Sequence, residues 1–222
     1  LGDVYKRQEY MLEDLGKLIQ VIQNNYERIC SMWDSTNQNA FSLKKKLVCD
    51  TINNADILNR VFEYRSLIND QLAYIVFDLG KINYVNSSVT SRVKAQNSIE
   101  YKLNNYCTNH ENGKIPIKKC LNDLLGVRIV INEEFSHQNV KNYMQQNFPS
   151  YKCIDSSKLS YVATHIYFES GNFHFPWELQ VWTAKNEKGN KNSHRLYKQE
   201  YTEWERKIKG GDDDGQAFYN YE

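Results

Sequence analysis

Apolar positions repeat with two periods along this chain, and the change from one to the other divides it. Over residues 10–33, Leu12, Leu15, Leu18, Ile19 and Ile22 fall on one helical stripe, which Tyr26 and Ile29 continue. The polar run Asp34-Ser35-Thr36-Asn37 predicts its end. Over residues 41–79 a second set, including Leu43, Leu47, Ile57, Val61, Ile68, Leu72 and Ile75, predicts one or two more helices, with Gly80 as their stop. From residue 85 the period shortens. Residues 85–94 read as a strand and 97–106 as a helix. The unbroken apolar run 124–131 reads as a buried strand, 139–148 as a short helix and 152–154 as a short strand. Residues 161–169 and 173–183 alternate on either side of Gly171-Asn172, which predicts a hairpin. A polar stretch to Asn192 precedes a closing helix, 193–207, with His194, Tyr197, Lys198 and Trp204 on it.

These elements predict an α+β fold. A mixed sheet of four to five strands is flanked by helices and preceded by an N-terminal helical region. The expected division is 1–84 helical, 85–208 the sheet domain and 209–222 a flexible tail. Asp212-Asp213-Asp214 in that tail reads as solvated rather than as a metal site. The chain opens on Leu1, and residues before Met11 are set aside for function.

Composition narrows the classes. With 222 residues, 41% hydrophobic and 25% charged, the chain can bury a sizeable core. A net charge of +1 gives no global electrostatic case for nucleic acid, so phosphate binding has to be local. Five cysteines, an odd number with no Cys-x-x-Cys, read as reduced thiols in a cytoplasmic protein. No run approaches the length of a membrane span, and Glu13, Asp14 and Lys17 interrupt the first apolar segment, so neither membrane nor signal peptide is expected.

Candidate chemistry collects in the strand-rich part. Arg92 and Lys94 share one strand face, and paired cations on a strand suit a polyphosphate. Ser98 and Lys102 share a helix face, with Ser98 in the first turn, where unsatisfied amides favour phosphate. Asp123 stands five residues before Arg128, at the mouth of an apolar strand, where a carboxylate suits Mg²⁺ bridging to phosphate. Glu178, Gln180 and Trp182 share a face of the last strand, and Tyr161 precedes His165 by four. Each has a plainer reading. Arg128 would pair with Asp123, Glu178 with an arginine, His165 and Tyr161 would simply pack, and Lys44-Lys45-Lys46 would be a solvated helix face.

Taken together, the motifs are more specific. Ser-Arg-Val-Lys-Ala-Gln-Asn-Ser-Ile-Glu-Tyr-Lys-Leu at 91–103, followed by Asn-Asp-Leu-Leu-Gly-Val-Arg-Ile-Val at 122–130, resembles the synthetase domain of the RelA/SpoT family, the pyrophosphokinases that make (p)ppGpp. Tyr161-Val162-Ala163-Thr164-His165 resembles that family's guanosine loop, and Trp177 to Thr183 its strand with an essential Glu. The resemblance implies a nucleotidyltransferase-like sheet. It implies that Arg92 and Arg128 sandwich the adenine of ATP, that Lys94, Ser98 and Lys102 hold its phosphates, and that Asp123 holds Mg²⁺. Glu178 would complete the metal site or serve as base. Tyr161 would stack on the acceptor base, with Lys158, His165 and Gln180 on the acceptor side. None of the five histidines precedes an Asp, so the hydrolase domain of long members has no counterpart here, and a small synthetase is expected.

The acceptor loop departs from the family. Ser160 precedes Tyr161 where Gly is usual, Val162 replaces an Arg, and Lys158 stands three residues before Tyr161 rather than four. Three activities follow. The first places pyrophosphate on GDP or GTP. The second, toxin-like, places it on the 3′ CCA end of tRNA, favoured by the altered loop and Lys44-Lys45-Lys46 and opposed by the near-zero charge. The third is an inactive nucleotide-binding module, which intact Asp123 and Glu178 oppose. A homo-oligomer or an antitoxin partner fits any of them.

Overall fold

The computed structural model describes residues 2–36, 41–84 and 86–209. Helix α1 (Gly2–Thr36) is long and amphipathic, and Leu15, Leu18, Ile19 and Ile29 on its stripe are wholly buried. The break expected at Asp34 does not occur. The Ser35 and Thr36 hydroxyls donate to the Met32 and Trp33 carbonyls, so these polar residues satisfy the last turn instead of ending it early. Asn37 lies outside the described residues.

The second helical region is three helices, α2 (Val48–Ile52), α3 (Ala55–Asp70) and α4 (Leu72–Gly80). Asn54 caps α3, accepting from the Ile57 N–H at 3.1 Å. Gly80, the expected stop, is the last residue of α4. Lys44-Lys45-Lys46, expected on a helix, instead lies in a turn ahead of α2. The Lys45 and Lys46 amides share the Ser42 carbonyl, and Leu43 N–H donates to Asn172 O at 2.7 Å. The turn is therefore sewn to the loop that follows the fourth strand.

The remaining elements are β1 (Ser87–Val93), α5 (Gln96–Asn109), α6 (Ile117–Cys120), β2 (Leu125–Ile131), α7 (His137–Asn147), β3 (Lys152–Asp155), β4 (Thr164–Phe168), β5 (Trp177–Thr183) and α8 (Ala184–Lys209). The strands form one mixed sheet in the order β1-β2-β5-β4-β3, in which only β2 and β5 run parallel. One face carries Val127, Ile129, Leu179, Val181 and Ile166, buried in a single core with the stripes of α1, α3 and α4. Tyr26 of α1 meets Trp177 of β5 edge-on, with centroids 5.3 Å apart. Gly16 lets α1 approach α7, because a Cβ there would strike the Tyr143 hydroxyl. Among the described residues no helix is long and apolar enough to cross a membrane.

Three expectations near the C-terminal half need correcting. The strand expected from Tyr161 begins at Thr164. Tyr161 and Lys158 exchange backbone hydrogen bonds of 2.8 and 2.9 Å, closing a tight turn with Leu159 at φ +53°. The strand expected from Phe173 begins at Trp177, since the chain is still turning after Gly171, whose φ of +56° suits glycine. The polar stretch before residue 193 is already α8. Its lysines, asparagines and Gly189 are poor evidence for a helix, but the bonds of Asn190 to Val162 override local propensity. The Tyr197 and Lys198 side chains and residues 210–222, with Asp212-Asp213-Asp214, lie outside the described residues.

Candidate active site

The other sheet face carries the polar side chains, and strand register sets their order. One line across all five strands reads Arg92, Gly126, Glu178, Tyr167, Lys152. The next reads Thr90, Arg128, Gln180, His165, Ile154. Side chains in one line stand about 5 Å apart, so Arg92 and Glu178 flank the bare backbone of Gly126. A Cβ on Gly126 would sit 4.0 Å from Arg92 Cγ and Nε, in the floor between cation and acid. There the structure has a cleft of about 250 Å³, lined by Arg92, Asp123, Gly126, Arg128, Glu178 and Gln180 among others.

At the β1–β2 end, Asp123 lies between two ammoniums. Lys94 Nζ is 2.8 Å from Oδ2 and Lys102 Nζ 3.0 Å from Oδ1. Burial opposes the Asp123 charge, but the two lysines outweigh it and hold the carboxyl far below its usual range. Burial also opposes both lysine charges. It wins at Lys94, which faces Lys102 and Arg92 as well, and draws that pKa down. At Lys102 the attraction of Asp123 wins and the pKa rises. Two ammoniums on one carboxylate leave this corner net positive. Lys94 is fixed by its backbone, donating to Leu124 O at 2.8 Å and accepting from Arg65 Nε at 3.0 Å. Ser98 is in the first turn of α5, and its amide donates to Asn97 Oδ1 at 2.9 Å.

The pairing of Arg128 with Asp123 is not what the structure has. Arg128 Nε and Nη2 donate to Gln180 Oε1 at 3.2 and 3.1 Å, and its guanidinium carbon lies 3.7 Å from the Trp182 ring centroid. Trp182 in turn stacks on His194 of α8, with centroids 5.6 Å apart. Burial, Arg128 and Arg92 push the His194 pKa down to about 4, so it is neutral at pH 7. Among the described residues neither Arg92 nor Arg128 pairs with a carboxylate, which leaves two guanidiniums on one cleft for an anion or an aromatic ring.

Three side chains bond to Glu178. Oε1 accepts from Tyr167 Oη at 3.1 Å and meets His165 Nδ1 at 2.8 Å, and Oε2 accepts from Gln180 Nε2 at 2.7 Å. Tyr161 Oη lies 2.7 Å from His165 Nε2. A carboxylate only accepts, so His165 donates through Nδ1, and its Nε2 accepts a hydrogen bond from the Tyr161 hydroxyl. Burial raises the Tyr161 pKa to about 12, which keeps that proton on. Burial opposes the Glu178 charge, but His165 outweighs it, and the acid sits below its ordinary range.

The sequence-predicted residues thus divide. Arg92, Asp123, Arg128, Glu178 and Gln180 line the cleft, and Lys94 and Lys102 support it through Asp123. Gln180, expected on the acceptor side, spends its amide joining Arg128 to Glu178. His165 reaches Glu178 and Tyr161 reaches His165, but Lys158 is exposed in the turn, away from the cleft lining. Three contributors escaped the sequence reading. Tyr167 was read only as a strand position. Arg65 is on a helix taken as scaffold. Asn190, wholly buried, grips the 158–162 loop with both ends of its amide. Its Oδ1 accepts from Val162 N–H at 2.7 Å, and its Nδ2 donates to Val162 O at 2.8 Å. Gly189 allows this approach, since a Cβ there would lie 3.0 Å from Ser160 O. Asn190 and His194 are four apart, a signal available only once the helix is extended back to Ala184.

The family model described as "Region found in RelA / SpoT proteins" matches residues 91–202, half of the chain. The chain belongs to the RelA/SpoT family. Those residues span β1 to α8 and include the whole cleft lining except Thr90. Solved structures similar to this RelA/SpoT protein include small alarmone synthetase 1 from Bacillus subtilis, 22% identical over 67% of this chain and 82% of that one, with a TM-score of 0.40. The same enzyme bound to its product pppGpp is 18% identical over 66% and 83%, with a TM-score of 0.40. Small alarmone synthetase 2 from Bacillus subtilis is 17% identical over 65% and 79%, with a TM-score of 0.36. Among curated proteins no match was found.

Proposed function

We propose that this protein is an ATP-dependent pyrophosphokinase that places the β,γ-diphosphate of ATP on the 3′-hydroxyl of GDP or GTP, giving (p)ppGpp and AMP. The observation that carries this is one cleft with two unpaired guanidiniums on one side and two carboxylates, Asp123 and Glu178, within it. Arg92 and Arg128 take the adenine between them, with Trp182 backing Arg128. Lys94 and Lys102 turn from Asp123 toward the phosphates, with the Ser98 hydroxyl in the first turn of α5 supporting them. The acceptor oxygen attacks the β-phosphorus. The bond from that phosphorus to the α,β-bridging oxygen breaks, AMP leaves with the bond's electron pair, and the hydroxyl proton passes to solvent water.

Among the described residues no three His, Cys, Asp or Glu side chains gather to hold a metal. Two carboxylates on a phosphate cleft are still a suitable donor set for Mg²⁺, which keeps waters and takes most other ligands from phosphate. Asp123 and Glu178 would hold it, and it would neutralise charge on the transferring group. Glu178 lies below the ordinary carboxylate range, which makes it a poor proton acceptor. It acts better as a fixed charge that orients the hydroxyl. The Tyr161–His165 chain holds its carboxylate in place.

A second acceptor, the 3′ CCA end of tRNA, is kept by one observation: Lys44 of the basic run lies in a pocket next to the cleft. Incubation with γ-labelled ATP and either GDP, GTP or deacylated tRNA distinguishes these readings. Label is expected on a guanine nucleotide, and lost in Glu178→Gln. Label on tRNA alone selects the second reading. Label on neither, with protein and variant alike, leaves a nucleotide-binding module.

A further inference from the structure

Strand register builds a square of four side chains at the edge of the cleft. Tyr167 of β4 stands directly across from Glu178 of β5, and His165 across from Gln180. Tyr167 Oη donates to Glu178 Oε1 along one edge, at 3.1 Å, and Gln180 Nε2 donates to Oε2 along another, at 2.7 Å. His165 Nδ1 reaches Oε1 on the diagonal, at 2.8 Å, and lies 3.4 Å from Tyr167 Oη. An ionised carboxylate has about four acceptor directions, two on each oxygen. Both directions on Oε1 are taken, and Oε2 keeps one. Glu178 and Gln180 line the cleft, whereas Tyr167 lines a neighbouring cavity and not the cleft. Tyr167 is therefore placed to act on the cleft through Glu178 rather than on a ligand within it.

The other two donors are shared. Gln180 also accepts from Arg128, and His165 also bonds to Tyr161. Burial, and then the Glu178 charge, push the Tyr167 pKa up, so its hydroxyl keeps its proton and donates to the acid. A donor fixed by strand register needs no reorganisation when charge develops beside it. We propose that Tyr167 is a positioning residue for the transfer, whose hydroxyl holds Glu178 Oε1 so that Oε2 alone is presented to the acceptor 3′-hydroxyl. The proposal rests on the pyrophosphokinase reading and names the oxygen that meets the acceptor. Tyr167 lies outside Tyr161-Val162-Ala163-Thr164-His165, the stretch that resembles the family's guanosine loop, so the resemblance gives it no role. Without the Tyr167 hydroxyl, Oε1 loses one of its two partners. The buried charge is then less well held, and the carboxylate is free to turn either oxygen to the cleft.

Two variants of the full chain separate the hydroxyl from the ring. Tyr167→Phe removes one oxygen and keeps the ring, and Tyr167→Leu removes both. Carbon-13 NMR of protein labelled at the glutamate carboxyls follows the Glu178 titration without turnover, its signal assigned by its absence in Glu178→Gln. The groups that face this carboxyl are Asp123, His165, Arg128, His194, Tyr161 and, across Gly126, Arg92. Both variants keep all six. Loss of one donor to a charged acceptor is expected to move the Glu178 titration up by about one unit in Tyr167→Phe. The kcat is expected to fall about tenfold, with the KM values for ATP and acceptor within about twofold of native. Tyr167→Leu is expected to match Tyr167→Phe. A native titration and native kcat in Tyr167→Phe overturn the proposal and leave the reaction standing, and losses confined to Tyr167→Leu reduce Tyr167 to packing. A change in the titration or in kcat without the other also overturns it. A moved titration in a protein whose native form transfers nothing removes the pyrophosphokinase reading and leaves the tie of Tyr167 to Glu178 in place.

Discussion

The two ends of the polar sheet face are built differently. The end proposed to take the donor, around β1, α5 and β2, is set by buried ion pairs and strand side chains: Lys94, Lys102 and Asp123 form one cluster, and Arg128 of β2 rests on Trp182. The end proposed to take the acceptor, beyond β5, is set by a loop. Residues 158–161 make a tight turn, and Asn190 of α8 holds Val162 from behind. Side-chain position at the first end follows from strand alternation, which a sequence displays. At the second it follows from a helix that arrives later in the chain.

Glu178 is the seam, bonded on one side to Gln180 and through it to Arg128, and on the other to His165 and Tyr167. The largest expected effect is there. Glu178→Gln is expected to lower pyrophosphate transfer at least about 10²-fold, the scale of losing one preorganised electrostatic contact, with ATP binding by calorimetry retained. Loss of ATP binding would put Glu178 in the donor end rather than at the seam. Asp123→Ala comes next. It leaves two lysines side by side without their carboxylate, and denaturant unfolding should register a loss of roughly 3 kcal/mol. A loss under about 1 kcal/mol would mean the cluster contributes no more than a surface pair.

Two milder variants separate the ends. Arg128→Ala removes the guanidinium over Trp182 and should raise the KM for ATP about tenfold or more, with the acceptor KM little changed. Asn190→Ala frees two backbone groups of Val162 and should do the reverse, with a stability loss of about 1–2 kcal/mol. If both variants moved the same KM, the two ends would not be separate sites.

The smallest effect lies outside both ends and serves as their control. His174, hydrogen-bonded to the Cys30 sulfur and, against the cost of burial, to Asp34 of α1, has its pKa raised to about 9. A raised value means that the folded state holds this proton more tightly than the unfolded one. The contribution is full below the unfolded value near 6.5 and is lost as pH rises through 9. Thermal unfolding should show a lower Tm at pH 9 than at pH 6.5, and His174→Gln should flatten that difference. An unchanged slope would remove the His174–Asp34 tie from the account.

Much of the fold could be read from periodicity. The α1 stripe, the β2 run and the Gly171 turn all follow from where apolar residues and glycine fall. The donor residues could be read for the same reason, because Arg92, Arg128 and Glu178 each occupy the polar face of an alternating or buried strand. Tyr161 was misplaced because alternation continued past the point where backbone pairing stops. Residues 184–192 were misread because a helix covered in lysine and asparagine has no apolar stripe to reveal it. Arg65 could not have been found, since its task is to hold the Lys94 carbonyl from a distant helix, and no local pattern encodes that.

The most direct measurement is a crystal structure with α,β-methylene-ATP and GDP bound together. The account predicts the adenine between the Arg92 and Arg128 guanidiniums and the GDP 3′-hydroxyl within hydrogen-bonding distance of Glu178. An ATP analogue seated outside the cleft, or a GDP whose 3′-hydroxyl points away from Glu178, would contradict it.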